Sequence, residues 1–305
     1  MEEQFRFFER VTYQNMGIVT EEELVSRLNE EKQVLCVVNT RKKAQSIYCQ
    51  LDGEGVYHLS TSMYPKHRQR ILNQVRERLK KDERCVLIST SLVEAGVDLD
   101  FQTVYRQLAG VDSMIQAAGR CNREGKRSQK ESIVSIFQFE EAERVPGQRQ
   151  QIDVSKMLLA DHEDISSLET IQKYFEMLYH FKGESLDKKR ILDEFQEKRY
   201  NFAKVGKEFK LIEENTKTLC IMREDEAKQL LQQMERQGYT KSGMRKISRY
   251  CIQVREQEFE KMNGAGMVRL VSEDMEDFYE LTDEIQYTEE MGLNLNIEKG
   301  MALFT

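Results

Sequence analysis

Two arginines carry the sharpest chemical signal in this sequence. In Gln116-Ala117-Ala118-Gly119-Arg120-Cys121-Asn122-Arg123-Glu124-Gly125, Arg120 and Arg123 stand three residues apart, a spacing that puts both side chains on one face of a helix end. A guanidinium is planar, permanently charged and rich in donors. Those are the properties that stabilise a γ-phosphoryl group in transfer. Gly119 leaves room beside the pair for another backbone or a ligand. A solvated surface pair has the same spacing, so spacing alone leaves both readings open. A second kind of signal is a set of hydroxyl-rich turns, Asn39-Thr40-Arg41, Ser60-Thr61-Ser62 and Ser89-Thr90-Ser91. Free N–H groups at such turns bind phosphate, although any one of them is equally a helix N-cap.

The elements around these residues predict where they meet. Val34-Leu35-Cys36-Val37-Val38, Val56 to Leu59, Cys85 to Ile88, Thr103 to Tyr105 and Ile133 to Phe137 are short β-rich runs. Amphipathic stretches lie between them: Arg41 to Leu51, Pro65 to Lys81 and Asp112 to Cys121. That alternation predicts an α/β fold with a parallel sheet covered by helices on both faces. In such sheets ligands bind at the carboxyl ends of the strands, and the three hydroxyl turns follow three of these strands. Thr20-Glu21-Glu22-Glu23 is a capping box opening a helix through Leu28. Beyond residue 150, helical pattern covers Ile165 to Phe181 and Glu224 to Gln237. Strand-like pieces lie at Phe209–Ile212, Leu219–Met222, Ile247–Val254 and Met267–Val271, which predicts an α+β or mostly helical half.

Charge divides the chain in the same places. The formal net charge is −7 over 305 residues, but residues 1–30 hold 3 basic and 7 acidic side chains, 31–150 hold 20 and 15, and 151–305 hold 23 and 31. Pro146-Gly147 is a turn signal near the second boundary. The expected organisation is a lead-in segment with a first helix (1–30), an α/β lobe (31–150), and a linker helix with a smaller accessory domain (151–305). Six cysteines without a C-x-x-C pair read as reduced thiols of a cytoplasmic protein. No run of eighteen apolar residues occurs, so no membrane partner is expected.

Val86-Leu87-Ile88-Ser89-Thr90-Ser91-Leu92-Val93-Glu94-Ala95-Gly96-Val97-Asp98-Leu99-Asp100-Phe101, followed by Gln116 to Arg123, resembles motifs V and VI of superfamily-two helicases. Val34 to Arg41 resembles motif IV, and Leu59 to Arg70 resembles the motif that follows it. The wording of Val38 to Ala44 and of Gly119 to Arg123 resembles the CRISPR-associated helicase–nuclease of type I systems. Tyr200-Asn201-Phe202, Phe209 to Ile212, Ser248-Arg249-Tyr250 and Tyr287 to Leu293 resemble that family's carboxyl-terminal region more loosely. The resemblance covers most of the chain.

It implies a second RecA-like lobe, the carboxyl-terminal lobe of a P-loop NTPase helicase, closing on ATP and Mg2+ gripped mainly by a first lobe. Arg120 and Arg123 would be the arginine fingers, and Gln116, Gly96 and Asp98 would reach the nucleotide. Ala117 stands where many relatives carry an arginine, so no role is carried over to it. Asn39, Thr40, Arg41, Ser62, Thr90 and Ser91 would touch single-stranded DNA. The implied partners are that DNA, a first lobe, an HD nuclease domain and the CRISPR surveillance complex, in antiviral defence. The accessory domain would cover the DNA channel.

The 305 residues contain no G-x-x-x-x-G-K-[ST], no D-E-x-H and no His-Asp pair. The chain is therefore expected to be inactive alone, and Met1 to be a boundary inside a larger helicase. No metal site is expected. Asp98 and Asp100 alternate as metal ligands could, but Asp100 is read as capping the turn after it. The four histidines are read as structural or solvated, and the aromatics of Tyr174 to Tyr179 as core. Two alternatives remain: the second lobe of another superfamily-two helicase, and a stand-alone non-catalytic module that binds nucleic acid or regulates a partner.

Overall fold

Strand β2 (Gln33–Val37) is buried at every position, and its side chains alternate between two hydrophobic layers. Leu35 and Val37 face one layer, while Val34 and Cys36 face the other. Five further strands extend it: β1 (Thr12–Val19), β3 (Val56–Leu59), β4 (Cys85–Ser89), β5 (Thr103–Gln107) and β6 (Ile133–Phe139). The sheet order is β1-β6-β5-β2-β4-β3, and every pair is parallel. A parallel sheet needs helices on both faces to bury runs like these. Helices α1 (Glu21–Glu30) and α2 (Arg41–Tyr48) cover one face through Leu24, Leu28, Ala44 and Ile47. Helices α3 (Pro65–Lys80), α4 (Val111–Ala118), α5 (Arg149–Asp161) and α6 (Leu168–Lys182) cover the other. The structure, a computed structural model, describes residues 10–294 apart from 142, 144, 146, 162, 163, 188, 197–200, 210–215, 274 and 276.

Local sequence accounts for the helix starts. Thr20 and Glu23 form the expected capping box, with the Glu23 N–H donating to Thr20 Oγ1 at 3.1 Å. Pro65 occupies the first turn of α3, where its missing N–H costs nothing. The lead-in segment holds more than one helix: β1 pairs with β6 from Thr12↔Ile133 to Val19↔Phe139 and forms the sheet edge. Its register shifts between Asn15 and Gly17, where Gly17 takes φ +67°.

Helices α5 and α6 pack on the lobe, with Val154, Leu158, Tyr174 and Leu178 in its core. Phe175 and Tyr179, read from sequence as core, lie 36% and 56% exposed because they face away from α4. Short helices α7 (Ile191–Gln196) and α8 (Phe202–Glu208) follow. The smaller domain is α+β: β7 (Thr216–Cys220), β8 (Cys251–Arg255), β9 (Val268–Leu270) and β10 (Phe278–Leu281) form a sheet ordered β8-β7-β10-β9. Helices α9 (Asp225–Gln237), α10 (Lys241–Ile247) and α11 (Glu256–Gly264) pack with it around a second core. The expected strand over Ile247–Val254 starts only at Cys251, since Ile247 ends α10 and Ser248–Tyr250 form a 3-10 turn. Pro146, His162, Tyr200 and most of the Phe209–Ile212 stretch lie outside the described residues.

A short hairpin, β11 (Tyr287–Thr288) with β12 (Gly292–Leu293), fixes this domain to the lobe. The Leu293 N–H donates to the Ser62 carbonyl at 2.8 Å, and Gln45 Nε2 donates to the Leu293 carbonyl at 2.8 Å. Tyr64 and Tyr287 stack at 5.3 Å between centroids, and Tyr64 belongs to the second core. Around them Arg70 and Lys66 pair with Glu224, and Arg41 pairs with Glu258.

Candidate functional site

The arginine pair does not sit on a helix. Helix α4 ends at Ala118, Gly119 caps it at φ −64°, and Arg120 and Arg123 lie in the turn beyond. A Cβ added at Gly119 would meet only carbonyls of its own helix, Gln116 at 3.3 Å and Ile115 at 3.7 Å. The turn is held by an isolated parallel bridge, Phe101↔Cys121, in which the Phe101 N–H donates to the Arg120 carbonyl at 2.8 Å and the Asn122 N–H to the Phe101 carbonyl at 3.0 Å. Asn122 takes φ +49°, a left-handed conformation that asparagine tolerates. Its amide donates to the Arg10 and Arg127 carbonyls at 2.9 Å each, and its Oδ1 accepts from the Arg127 N–H at 3.0 Å.

The two arginines are held differently. Arg120 is 6% exposed; its Nε donates to the Val93 carbonyl at 2.8 Å and its Nη2 to the Glu94 carbonyl at 2.6 Å. Its Nη1 is buried and without a partner. Burial, with Arg123 nearby, moves its pKa down, while Asp98 and Glu94 oppose the shift. An arginine stays charged under such a shift. Arg123 is exposed, and its Nε donates to Asp98 Oδ1 at 2.8 Å. Asp100 does not cap the turn after it: its Oδ1 accepts from the Arg123 N–H at 2.7 Å and so braces the arginine turn. Gly96, at φ +72°, has open space where a side chain would be. Gln116 is exposed on α4.

Behind Arg120 lies a charge that the sequence reading passed over. Arg106, on β5, is 1% exposed and its Nε lies 3.0 Å from Glu94 Oε1. Its Nη2 donates to Ser113 Oγ at 2.9 Å, and its Nη1 donates to Asn39 Oδ1 at 2.7 Å and the Gln107 carbonyl at 2.6 Å. Ser113 in turn donates to Glu94 at 2.8 Å. Burial raises the Glu94 pKa, with Arg106 and Ser113 opposing it. Glu94 thus clamps Arg106 with its carboxylate and Arg120 with its carbonyl. The available signal was an arginine inside the strand run Thr103-Val104-Tyr105-Arg106-Gln107, where a charge buried on both faces demands a partner.

The three hydroxyl turns do fall at the carboxyl ends of β2, β3 and β4, with unequal access. Ser91 is exposed, and Thr90, 8% exposed, precedes a 3-10 turn without capping it by its side chain. Thr40 caps α2, accepting from the Lys43 N–H at 3.2 Å, and donates to Glu143 at 2.8 Å. The Asn39 N–H and amide are taken by Gln107 and the Leu108 carbonyl. Arg41 makes a two-pronged pair with Glu258 at 2.6 Å. Ser62 is fully buried and donates to the Met291 carbonyl at 3.2 Å. Among the described residues no three His, Cys, Asp or Glu side chains gather as a metal site. The six cysteines are unbridged, and no described helix is long and apolar enough to cross a membrane.

Residues 30–126, which hold β2 to β5 and the arginine turn, match the family described as CRISPR-associated nuclease/helicase Cas3, C-terminal. Over these residues the lobe is similar to the carboxyl-terminal part of Cas3. The CRISPR-associated nuclease/helicase Cas3 of Methanothermobacter thermautotrophicus is 32% identical over 117 residues, 38% of this chain and 14% of that protein. The Cas3 of Haloferax volcanii is 48% identical over 63 residues, 20% of this chain and 7% of its own length. The crystal structure of T. fusca Cas3 superposes over 89% of this chain and 38% of its own, with a TM-score of 0.55 at 15% identity. A chain from a CRISPR RNA-guided surveillance complex, pre-nicking, superposes over 93% of this chain and 43% of its own, with a TM-score of 0.53 at 17% identity. At these identities the superpositions establish a shared fold that extends through the accessory domain. The chain spans less than half the length of these Cas3 relatives.

Proposed function

We propose that this chain is the second RecA-like lobe and accessory domain of an ATP-dependent single-stranded-DNA translocase in CRISPR interference, working in the cytoplasm. The observation that carries this reading is the arginine turn. Arg120 is fixed through two of its nitrogens while the third stays buried and unpaired, and Arg123 stands exposed three residues on. A buried unpaired N–H is costly unless an acceptor arrives, and a phosphate oxygen is an acceptor that fits a guanidinium. ATP held by a first lobe supplies the bond to be hydrolysed. The work of this chain is to present Arg120 and Arg123 to the γ-phosphoryl oxygens, with Asp98 orienting Arg123 until the lobes close. Gly96 leaves the approach open, and Gln116 faces the same interface.

At the sheet rim, Thr90 and Ser91 are the hydroxyls best placed to meet DNA phosphates. Asn39, Thr40, Arg41 and Ser62 now serve the network behind the site and the junction with the accessory domain. Their part in strand contact is therefore to shape the rim, and Arg41 reaches phosphate only where Glu258 releases it. The pure 305-residue chain is expected to bind single-stranded DNA weakly and to hydrolyse no ATP, because no phosphate loop lies in its sequence. ATP turnover by that sample, abolished by Arg120→Ala, would show that the chain grips nucleotide itself and would overturn the half-site reading.

A further inference from the structure

From Arg236 to Arg255 the chain carries six basic side chains, Arg236, Lys241, Arg245, Lys246, Arg249 and Arg255, and no acidic one. This is an unbroken basic stretch inside the most acidic third of the molecule. The fold gathers four of these charges on one outer surface. Lys241, Arg245 and Lys246 lie on α10 and Arg249 on the 3-10 turn after it. All four are exposed, while Ile247 and Tyr250 point into the second core. None of the four makes an ion pair within 4.0 Å of a carboxylate among the described residues, although Arg249 acts electrostatically on Glu226, whereas Lys66, Arg70 and Arg41 are all paired. Cations gathered on one short helix and the turn after it repel one another, and an external polyanion relieves that repulsion.

The surface also adjoins the lobe's rim. Tyr250 lies 5.9 Å from Tyr64 between ring centroids, and Lys66 Nζ donates to Tyr250 Oη at 2.9 Å. Tyr64 and Lys66 open α3 directly after the Ser60-Thr61-Ser62 turn at the carboxyl end of β3. Ser242 and Ser248 add exposed hydroxyls between the charges.

We propose that the Lys241–Arg249 surface binds the phosphodiester backbone of single-stranded nucleic acid, continuing the strand path from the lobe rim onto the accessory domain. This rests on the strand-binding part of the function proposed above. Contact is through phosphates, so it is sequence-independent and salt-sensitive, with each phosphate contact contributing about 0.7 to the logarithmic salt slope for a single strand.

The test is anisotropy of a fluorescent oligothymidylate titrated with the full 305-residue chain across a salt series. One variant removes the surface charges: Lys241→Gln, Arg245→Gln, Lys246→Gln, Arg249→Gln. A second removes four exposed lysines near the amino ends of the strands: Lys32→Gln, Lys81→Gln, Lys126→Gln, Lys130→Gln. Both change net charge equally and are expected to melt with the wild type. The surface variant is expected to lose about tenfold or more in affinity near 0.1 M salt and about 2–3 from the salt slope, while the control changes little. Equal loss in both variants would reduce the effect to net charge and overturn the proposal, as would no loss in either. Preference for a poly-glutamate peptide over the oligonucleotide, lost with the same four charges, would reassign the surface to an acidic protein and overturn it as well. If the wild type binds no single strand at all, the strand-binding reading falls together with this one; if it binds and only the surface assignment fails, that reading stands.

Discussion

Arg120 and Arg123 differ in what a substitution would disturb. Arg123 is exposed and its pair with Asp98 is open to water, so the pair adds at most about 1 kcal/mol to stability. Asp98→Ala should therefore leave the melting temperature nearly unchanged, and a large drop would show that Asp98 is structural. Arg120, by contrast, braces the Val93 and Glu94 carbonyls. Arg120→Ala should cost stability on the order of 1–3 kcal/mol, read by urea unfolding. His58 behaves as a third case. It is buried on β3, and burial, with His67 nearby, pulls its pKa down to about 3 against the opposing Met291 backbone. The unfolded chain takes up its proton near pH 6.5, so stability present above that value is lost as pH falls toward 3, by up to about 1.4 kcal/mol per unit. His58→Leu should flatten that part of the stability–pH curve; an unchanged slope would assign it to other groups. The arginine pair was legible in the sequence because its neighbours have characteristic wording. The unpaired state of Arg120 Nη1 was not, since it depends on which carbonyls the fold delivers to the other two nitrogens.

At the scale of elements, the buried Arg106–Glu94 pair joins β5 to the turn after β4, while Ser113 and Asn39 bring in α4 and the end of β2. Breaking one side leaves a charge without a partner in the core. Arg106→Met alone should cost about 3–5 kcal/mol, and adding Glu94→Leu should recover most of that loss. A double-mutant cycle by urea unfolding reads the coupling, and strictly additive losses would contradict it. The strands β2 to β6 were legible as apolar runs because both faces of the sheet are buried. Strand β1 was not, because Thr12-Tyr13-Gln14-Asn15-Met16-Gly17-Ile18-Val19 is an edge strand, half exposed and interrupted by a bulge, and shows neither an apolar run nor clean alternation. The hydroxyl turns were placed at the right end of the sheet, yet the partners of Thr40, Arg41 and Ser62 come from residues 100 to 230 positions away, beyond any local pattern.

Among the described residues, the lobe's two hydrophobic layers and the accessory core are joined through the hairpin, Tyr64 and the ion pairs beside them. Gly292 is the tight point: at φ +71°, an added Cβ would stand 2.5 Å from the Ser62 carbonyl oxygen. Gly292→Ala should destabilise the junction by on the order of 1–3 kcal/mol, seen as faster amide exchange at Ser62 and Leu293 while the cores stay protected. Unchanged exchange would mean that the hairpin does not hold the domains. With that joint intact, the accessory domain travels with the lobe, so under the proposed function closure on nucleotide would carry the basic surface of α10 along with the rim. The charge halves of the sequence anticipated a basic lobe beside an acidic domain. The averages concealed the local reversal on α10, because one compact basic surface is outvoted by acidic residues elsewhere. The central claim is that this chain delivers an arginine to ATP bound by another lobe. Its most direct test is single-turnover ATP hydrolysis by an enzyme joining this chain to a nucleotide-gripping first lobe, with and without Arg123→Ala. Loss of turnover by about 10³-fold or more with ATP affinity retained is the expected result. Turnover at the wild-type rate in that variant would contradict it.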